Sequence, residues 1–306
     1  MNALLRQRVR RDWLQLLLWL LGTYALAAAA VGGVAASYGT EPDRVAVLAA
    51  VMANPVIMLF RGLPSGAELD AFTLFLIFPF LAMMAAFMST FLAVRHTRTE
   101  EELGRAELVG ATPAGRTTPL IATIVHGCLA NLALALLVFL AFVMGGFDPL
   151  GCLVAGLATG AVGLCFLGVG LVAAQLMRTS RGANSLAVWV LLITFLLSGI
   201  GSAAGTPSAD LRSVQSSWLS WLSPFGWGEN TRPFATNNLW PIALTIAVST
   251  VLIGTALALH TARDMGESLL APAATDAERL ARALARAADF DDTHPTLAQR
   301  LGALGV

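Results

Sequence analysis

The chain has 306 residues, 57% of them hydrophobic and 12% charged, with a mean hydropathy of +0.72 and a formal net charge of zero. About a quarter of the residues in a soluble domain are charged, so water is excluded as the solvent for most of this surface. All of the basic residues are Arg, and without Lys the GxxxxGK[ST] phosphate loop cannot be written, so the chain does not hydrolyse ATP alone.

Six stretches, 13–40, 71–94, 117–147, 149–177, 182–209 and 233–262, contain no Asp, Glu or Arg. Each exceeds the roughly 20 residues that a helix needs to cross a ~30 Å hydrocarbon layer. They are continuously apolar, without the period-two alternation of a β-barrel, which predicts helices. The expected fold is an all-α membrane protein of six transmembrane helices over 13–262. A basic interfacial segment (1–12) precedes it and a polar tail (263–306) follows.

Residues 1–12 are rich in Arg and are expected to lie along the membrane face with their side chains among lipid phosphates. Trp13 and Trp19 mark that interface. The run is about twice the length of a signal peptide's apolar core, so it reads as an uncleaved first helix. In the loop from 37 to 70, the stretch VAVLAAVMANPVIMLF is too short and too interrupted by Asn54 and Pro55 to span. An interfacial, partly helical loop is expected.

Between spans two and three lies the densest polar cluster, RHTRTEEELGRAELVGATPAGR. Thr99 with Glu102 makes a capping-box pattern, and Glu101 with Arg105 is an i, i+4 pair. Gly110 and Pro113 stop the pattern, which predicts a short helix of about ten residues. From spacing alone, a solvated connector fits as well as a docking element. Spans three and four are joined only by GGFDPLG and form a tight hairpin. Gly156 and Gly160 in span four make a small-xxx-small motif, suited to close packing or to a dimer interface. Cys128, Cys152 and Cys165 lie in spans at no metal-ligand spacing and read as small packing residues.

Before span six, SSWLSWLSPFGWGENTRPF crowds Trp218, Trp221, Phe225, Trp227 and Phe234 together, with Trp240 close behind. Such rings favour the headgroup boundary, so the segment either anchors span six or dips into the leaflet, with Pro224 and Gly226 breaking it in two. Beyond 262, residues 275–290 have an amphipathic helical pattern. Fifteen Arg fall on the side of the termini and four, Arg44, Arg61, Arg212 and Arg232, on the other. The positive-inside rule then places both termini in the cytoplasm.

Enzyme chemistry finds little support. The polar groups at depth are His126, Cys128, Asn131 and Gln175, with no HExxH, no GxSxG and no carboxylate inside a span. His126 reads as a hydrogen-bonded residue or part of a polar path more readily than as a catalyst. No catalytic, metal or cofactor-binding residues are assigned. The missing carboxylate also disfavours a proton-coupled carrier.

Several pieces, in order, resemble the permeases of type-2 ABC exporters, in the actinobacterial polyketide-antibiotic and multidrug branch. They are RVRRDW before span one, MANPVIMLFRGLPSG in the first loop, VRHTRTEEELGRAELVGATPAGR after span two and SWLSPFGWGENTRPF before span six. The resemblance implies a multidrug efflux permease subunit of the cell membrane that moves a hydrophobic or amphiphilic compound outward. Two separate cytoplasmic ABC ATPase subunits, carrying the ATP and Mg, would power it, and this chain would hold no cofactor and bind no nucleic acid. Glu101, Arg105 and Glu107 would make polar contacts to the ATPase, with Leu108, Gly110, Ala111, Thr112 and Pro113 shaping the docking turn. Trp218, Trp221, Pro224, Phe225, Gly226 and Trp227 would form a re-entrant outer segment. Ser89, Thr90, Asn131, Thr159 and Gln175 are candidates for lining the path. Members of this branch are about twice as long, with two six-span halves. This chain is then either a half-size subunit, pairing with itself or a sister permease in the surrounding lipid, or a truncated product. The alternative is a membrane scaffold or sensor that recruits a cytoplasmic partner.

Overall fold

The computed structural model describes residues 2–104, 115 and 117–262. Six of its helices are long and apolar enough to cross a membrane. They are α1 (Asn2–Ser37), α4 (Leu69–Arg95), α6 (Thr118–Met144), α7 (Pro149–Leu176), α8 (Ser180–Ala203) and α10 (Trp240–Ala262). Shorter helices lie between them: α2 (Glu41–Met52), α3 (Pro55–Phe60), α5 (Arg98–Glu102) and α9 (Pro224–Glu229). A 3-10 helix spans Trp218–Leu222, and a two-residue ladder pairs β1 (Thr206–Pro207) with β2 (Val214–Gln215).

Packing centres on α4 and α7, the most enclosed of the six. α7 touches α4, α6, α8 and α10, while α1 packs on α6 and α4. The glycines of α7 set these distances. A Cβ on Gly156 would stand 2.5 Å from the Ala135 carbonyl oxygen of α6, and one on Gly160 would stand 2.9 Å from Ala135 Cβ. The small-xxx-small face is thus occupied by α6 within the same chain. The α6–α7 hairpin is tight because Gly146 takes φ +83° and Asp148 caps α7, accepting from Gly151 N at 2.9 Å.

Two local expectations change. α1 is continuous from Asn2, so the basic segment forms its first turns instead of a separate interfacial piece. Arg8 is buried there and donates to Thr123 Oγ1 at 2.5 Å and to the Pro119 carbonyl at 2.9 Å, two acceptors that α6 places within its reach. The first loop is more helical than its sequence suggests. Asn54 starts α3, its side chain accepting from Val56 N and Ile57 N, while Pro55 occupies a first-turn position where no N–H is needed.

Pro79 sits inside α4 and leaves the Phe75 carbonyl without its intrahelical donor. The N–H of Gly62, in the loop after α3, supplies that bond at 3.1 Å. Only glycine fits this approach, since a Cβ would stand 2.8 Å from the same oxygen.

Candidate functional site at the arginine-rich end

The arginine-bearing ends of α1 and α4, the starts of α6 and α8 and the α7–α8 connection share a network of charges and hydrogen bonds. Asp12 of α1 is buried and meets His96 Nε2 at the end of α4, while Arg95 Nη2 pairs with its other oxygen at 3.0 Å. His126 of α6 stands edge-on to His96, ring centroids 5.4 Å apart. Thr123 Oγ1 reaches the His96 carbonyl at 3.3 Å and accepts from Arg8.

The segment after α4 is tied to its neighbours by further polar bonds. Arg11 pairs with Glu100 at 2.5 Å, linking α5 to α1. Arg98 is buried, donates to the Arg178 carbonyl at 2.7 Å and pairs with Glu101 at 2.7 Å. Glu102 Oε1 accepts from Ser180 N at 2.8 Å, placing a carboxylate at the start of α8, where helix dipole and free N–H groups favour it. α5 is therefore bound to the first turns of α1 and α8 as well as to α4.

These bonds also correct the predicted helix. α5 starts at Arg98, and its N-cap residue is Thr97, with no side-chain cap bond. The Thr99–Glu102 capping box does not form, because Glu102 serves Ser180 N instead. The described helix ends after five residues at Leu103 and Gly104, the latter at φ +69°. Glu101 pairs with Arg98 and its side chain is largely enclosed. Arg105, Glu107, Leu108, Gly110, Ala111, Thr112 and Pro113 lie outside the described residues, as does the tail 263–306.

At the opposite end the aromatic segment folds as two short helices, broken at Ser223, whose hydroxyl caps α9 by accepting from Phe225 N at 3.2 Å. Pro224, Phe225, Gly226 and Trp227 are buried, whereas Trp218 is 70% exposed and Trp221 borders on exposed. Phe225 packs against Phe166 of α7 and Phe195 of α8, and Trp227 Nε1 donates to the Trp221 carbonyl at 2.6 Å. Gly226 lies so close to Ser220 that a Cβ would collide with its carbonyl.

This segment contains Glu229, which the sequence pattern did not single out. It is 8% exposed, and its carboxylate accepts from Ser198 Oγ at 3.2 Å and Ser202 Oγ at 3.1 Å, both on α8. Burial pushes its pKa up to about 7, and the two hydroxyls pull weakly the other way. Arg232, three residues on, turns to the Val214 carbonyl at 2.8 Å. The available signal was a lone carboxylate within an aromatic run, PFGWGEN. Asp12 was missed in the same way, as the single acid in RVRRDW.

The proposed path-lining residues are all buried on α4, α6 and α7. Asn131 Nδ2 donates to Ser89 Oγ at 2.8 Å and to the Gly127 carbonyl at 2.9 Å, and Thr159 Oγ1 donates to the Ala155 carbonyl at 2.8 Å. Thr90 and Gln175 lie in the same interior. These groups occupy packed seams between helices of one unit. The three cysteines are free thiols, Cys152 and Cys165 buried and Cys128 partly so.

A bundle of six membrane-length helices, with charge networks placed at helix ends, defines a multi-pass helical membrane protein. Residues 5–260 match the family described as multidrug efflux system permease Rv1217c, C-terminal domain. The chain belongs to this family of multidrug permeases. It is 34% identical over 270 residues to the multidrug efflux system permease protein Rv1217c of Mycobacterium tuberculosis, an alignment covering 88% of this chain and 47% of that relative. The chain thus spans about half the length of the curated relative it matches.

Proposed function

We propose that this six-helix unit is the permease part of an ATP-driven exporter, moving a hydrophobic or amphiphilic compound outward through the cell membrane. The arginine-rich end faces the cytoplasm by the positive-inside rule. The aromatic segment 218–234 re-enters the outer leaflet and helps to close the exit. Two such units enclose the path, and two ATPase subunits, with their ATP and Mg, drive it by alternating access. For Ser89, Thr90, Asn131, Thr159 and Gln175 to line that path, the seams around α4 and α7 must part. This chain acts as a transport subunit, without chemistry of its own.

The observation that carries this reading is the attachment of α5 to α1 through Arg11–Glu100, to the α7–α8 connection through Arg98 to Arg178 O, and to α8 through Glu102 to Ser180 N. A force applied by an ATPase to α5 would reach α1 and α8 through these bonds and α4 through the adjoining chain. The test is co-purification of a cytoplasmic ABC ATPase from native membranes, using Glu107→Arg to place like charge on the docking face. Loss of the ATPase from an otherwise stable, inserted permease is expected. Undiminished association and ATP-dependent efflux by this variant would refute the docking assignment, and a stable complex with some other cytoplasmic protein in place of an ATPase would favour a scaffold.

A further inference from the structure

Asp12, His96 and His126 come from three helices, and one ligating atom of each falls within 4.8 Å of the others. All three side chains are buried, and His126 is only 2% exposed. The direct contact of Asp12 Oδ2 with His96 Nε2 accounts for one oxygen and one ring nitrogen. His126 Nε2 is fully enclosed yet has no hydrogen-bond partner. A buried imidazole nitrogen left in this way forfeits its hydration without compensation. A lone pair enclosed beside a second imidazole and a carboxylate is a ligand set lacking its acceptor.

We propose that Asp12, His96 and His126 form a binding site for a first-row divalent cation, with Zn2+ as the best match. Two imidazoles and one carboxylate suit zinc, whereas Mg2+ and Ca2+ require mostly oxygen donors. The ion would take the place now filled by the Asp12–His96 contact and recruit the idle nitrogen of His126, with water completing four-coordination. Arg95 pairs with the other oxygen of Asp12 at 3.0 Å, so one ligand already has the kind of outer partner that orients metal sites, while Thr123 reaches only the backbone carbonyl of His96, at 3.3 Å. The nearby guanidinium of Arg95 opposes a cation, but it neutralises only the oxygen that the metal does not use. Bound there, the ion would join α1, α4 and α6 beside the first residues of α5. The site does not depend on the transport reading.

The test uses the full chain purified without a histidine tag. After chelation, Zn2+ is titrated by calorimetry and the retained metal is measured by mass spectrometry, with Co2+ as a spectroscopic substitute. One zinc per chain, a thermal midpoint several degrees higher, and visible Co2+ bands without thiolate charge transfer are expected. His126→Phe, which preserves the ring contact, should reduce affinity at least tenfold. Replacing the two remaining histidines, His260 and His294, should leave binding intact. Failure of the wild-type chain to retain stoichiometric zinc overturns the proposal whatever the variants do. So does full binding by a folded His126→Phe, or loss of binding on removing His260 and His294.

Discussion

Glu229 shows how strongly one side chain can depend on what surrounds it. Its pKa lies near 7 in the folded chain against an ordinary value of 4.5, so folding favours the protonated acid. The contribution is complete below about pH 4.5 and is lost as pH rises through about 7, so thermal stability should decline across that interval, by about 3 kcal/mol at most. Glu229→Gln should abolish the decline and stabilise the protein at pH 8 while changing little at pH 4. A detergent-solubilised melting series on both proteins measures this, and parallel pH profiles would disprove it. This environment was not legible beforehand. The sequence shows the carboxylate but not Ser198 and Ser202, which reach it from a helix about thirty positions earlier. Glu101 is the converse case. Its charge suggested an outward docking contact, whereas the structure turns it onto buried Arg98. Glu101→Arg should therefore destabilise the protein by placing a second cation beside buried Arg98, which a lowered melting temperature would show.

Between helices, the closest approaches are governed by atoms that glycine lacks. At Gly163 an added Cβ would collide with Asn131 Oδ1, part of the Asn131–Ser89 pair between α6 and α4. Gly163→Ala should destabilise the bundle by about 1–3 kcal/mol. Asn131→Ala should recover part of that loss, although alone it forfeits its bonds to Ser89 and Gly127. Chemical denaturation of the four proteins in this cycle decides the matter, and strictly additive effects would count against the contact. The long helices were legible because a run of more than twenty residues without charge is costly for a chain that water must solvate and natural for one that lipid surrounds. The hairpin between α6 and α7 was equally plain from GGFDPLG. The start of α5 was not, since Thr97 and Thr99 are equivalent by propensity and the choice depends on Ser180, about eighty positions away, drawing Glu102 aside.

For the whole molecule, composition identified the solvent and Arg asymmetry suggested an orientation, but neither says how many copies assemble. On the proposed reading, a second six-helix unit completes the path. Native mass spectrometry from nanodiscs should detect two six-helix units with two ATPases, and a lone six-helix chain that sustains efflux would contradict the assembly. The tie at Pro79 bears on how such a unit moves. The carbonyl that proline leaves free is held by Gly62, so flexing α4 at that rung either breaks this bond or carries the Arg61–Gly62 backbone with it. While that single peptide oxygen stays engaged, helix and loop are hinged together at one point, and a tilt of α4 there draws α3 along.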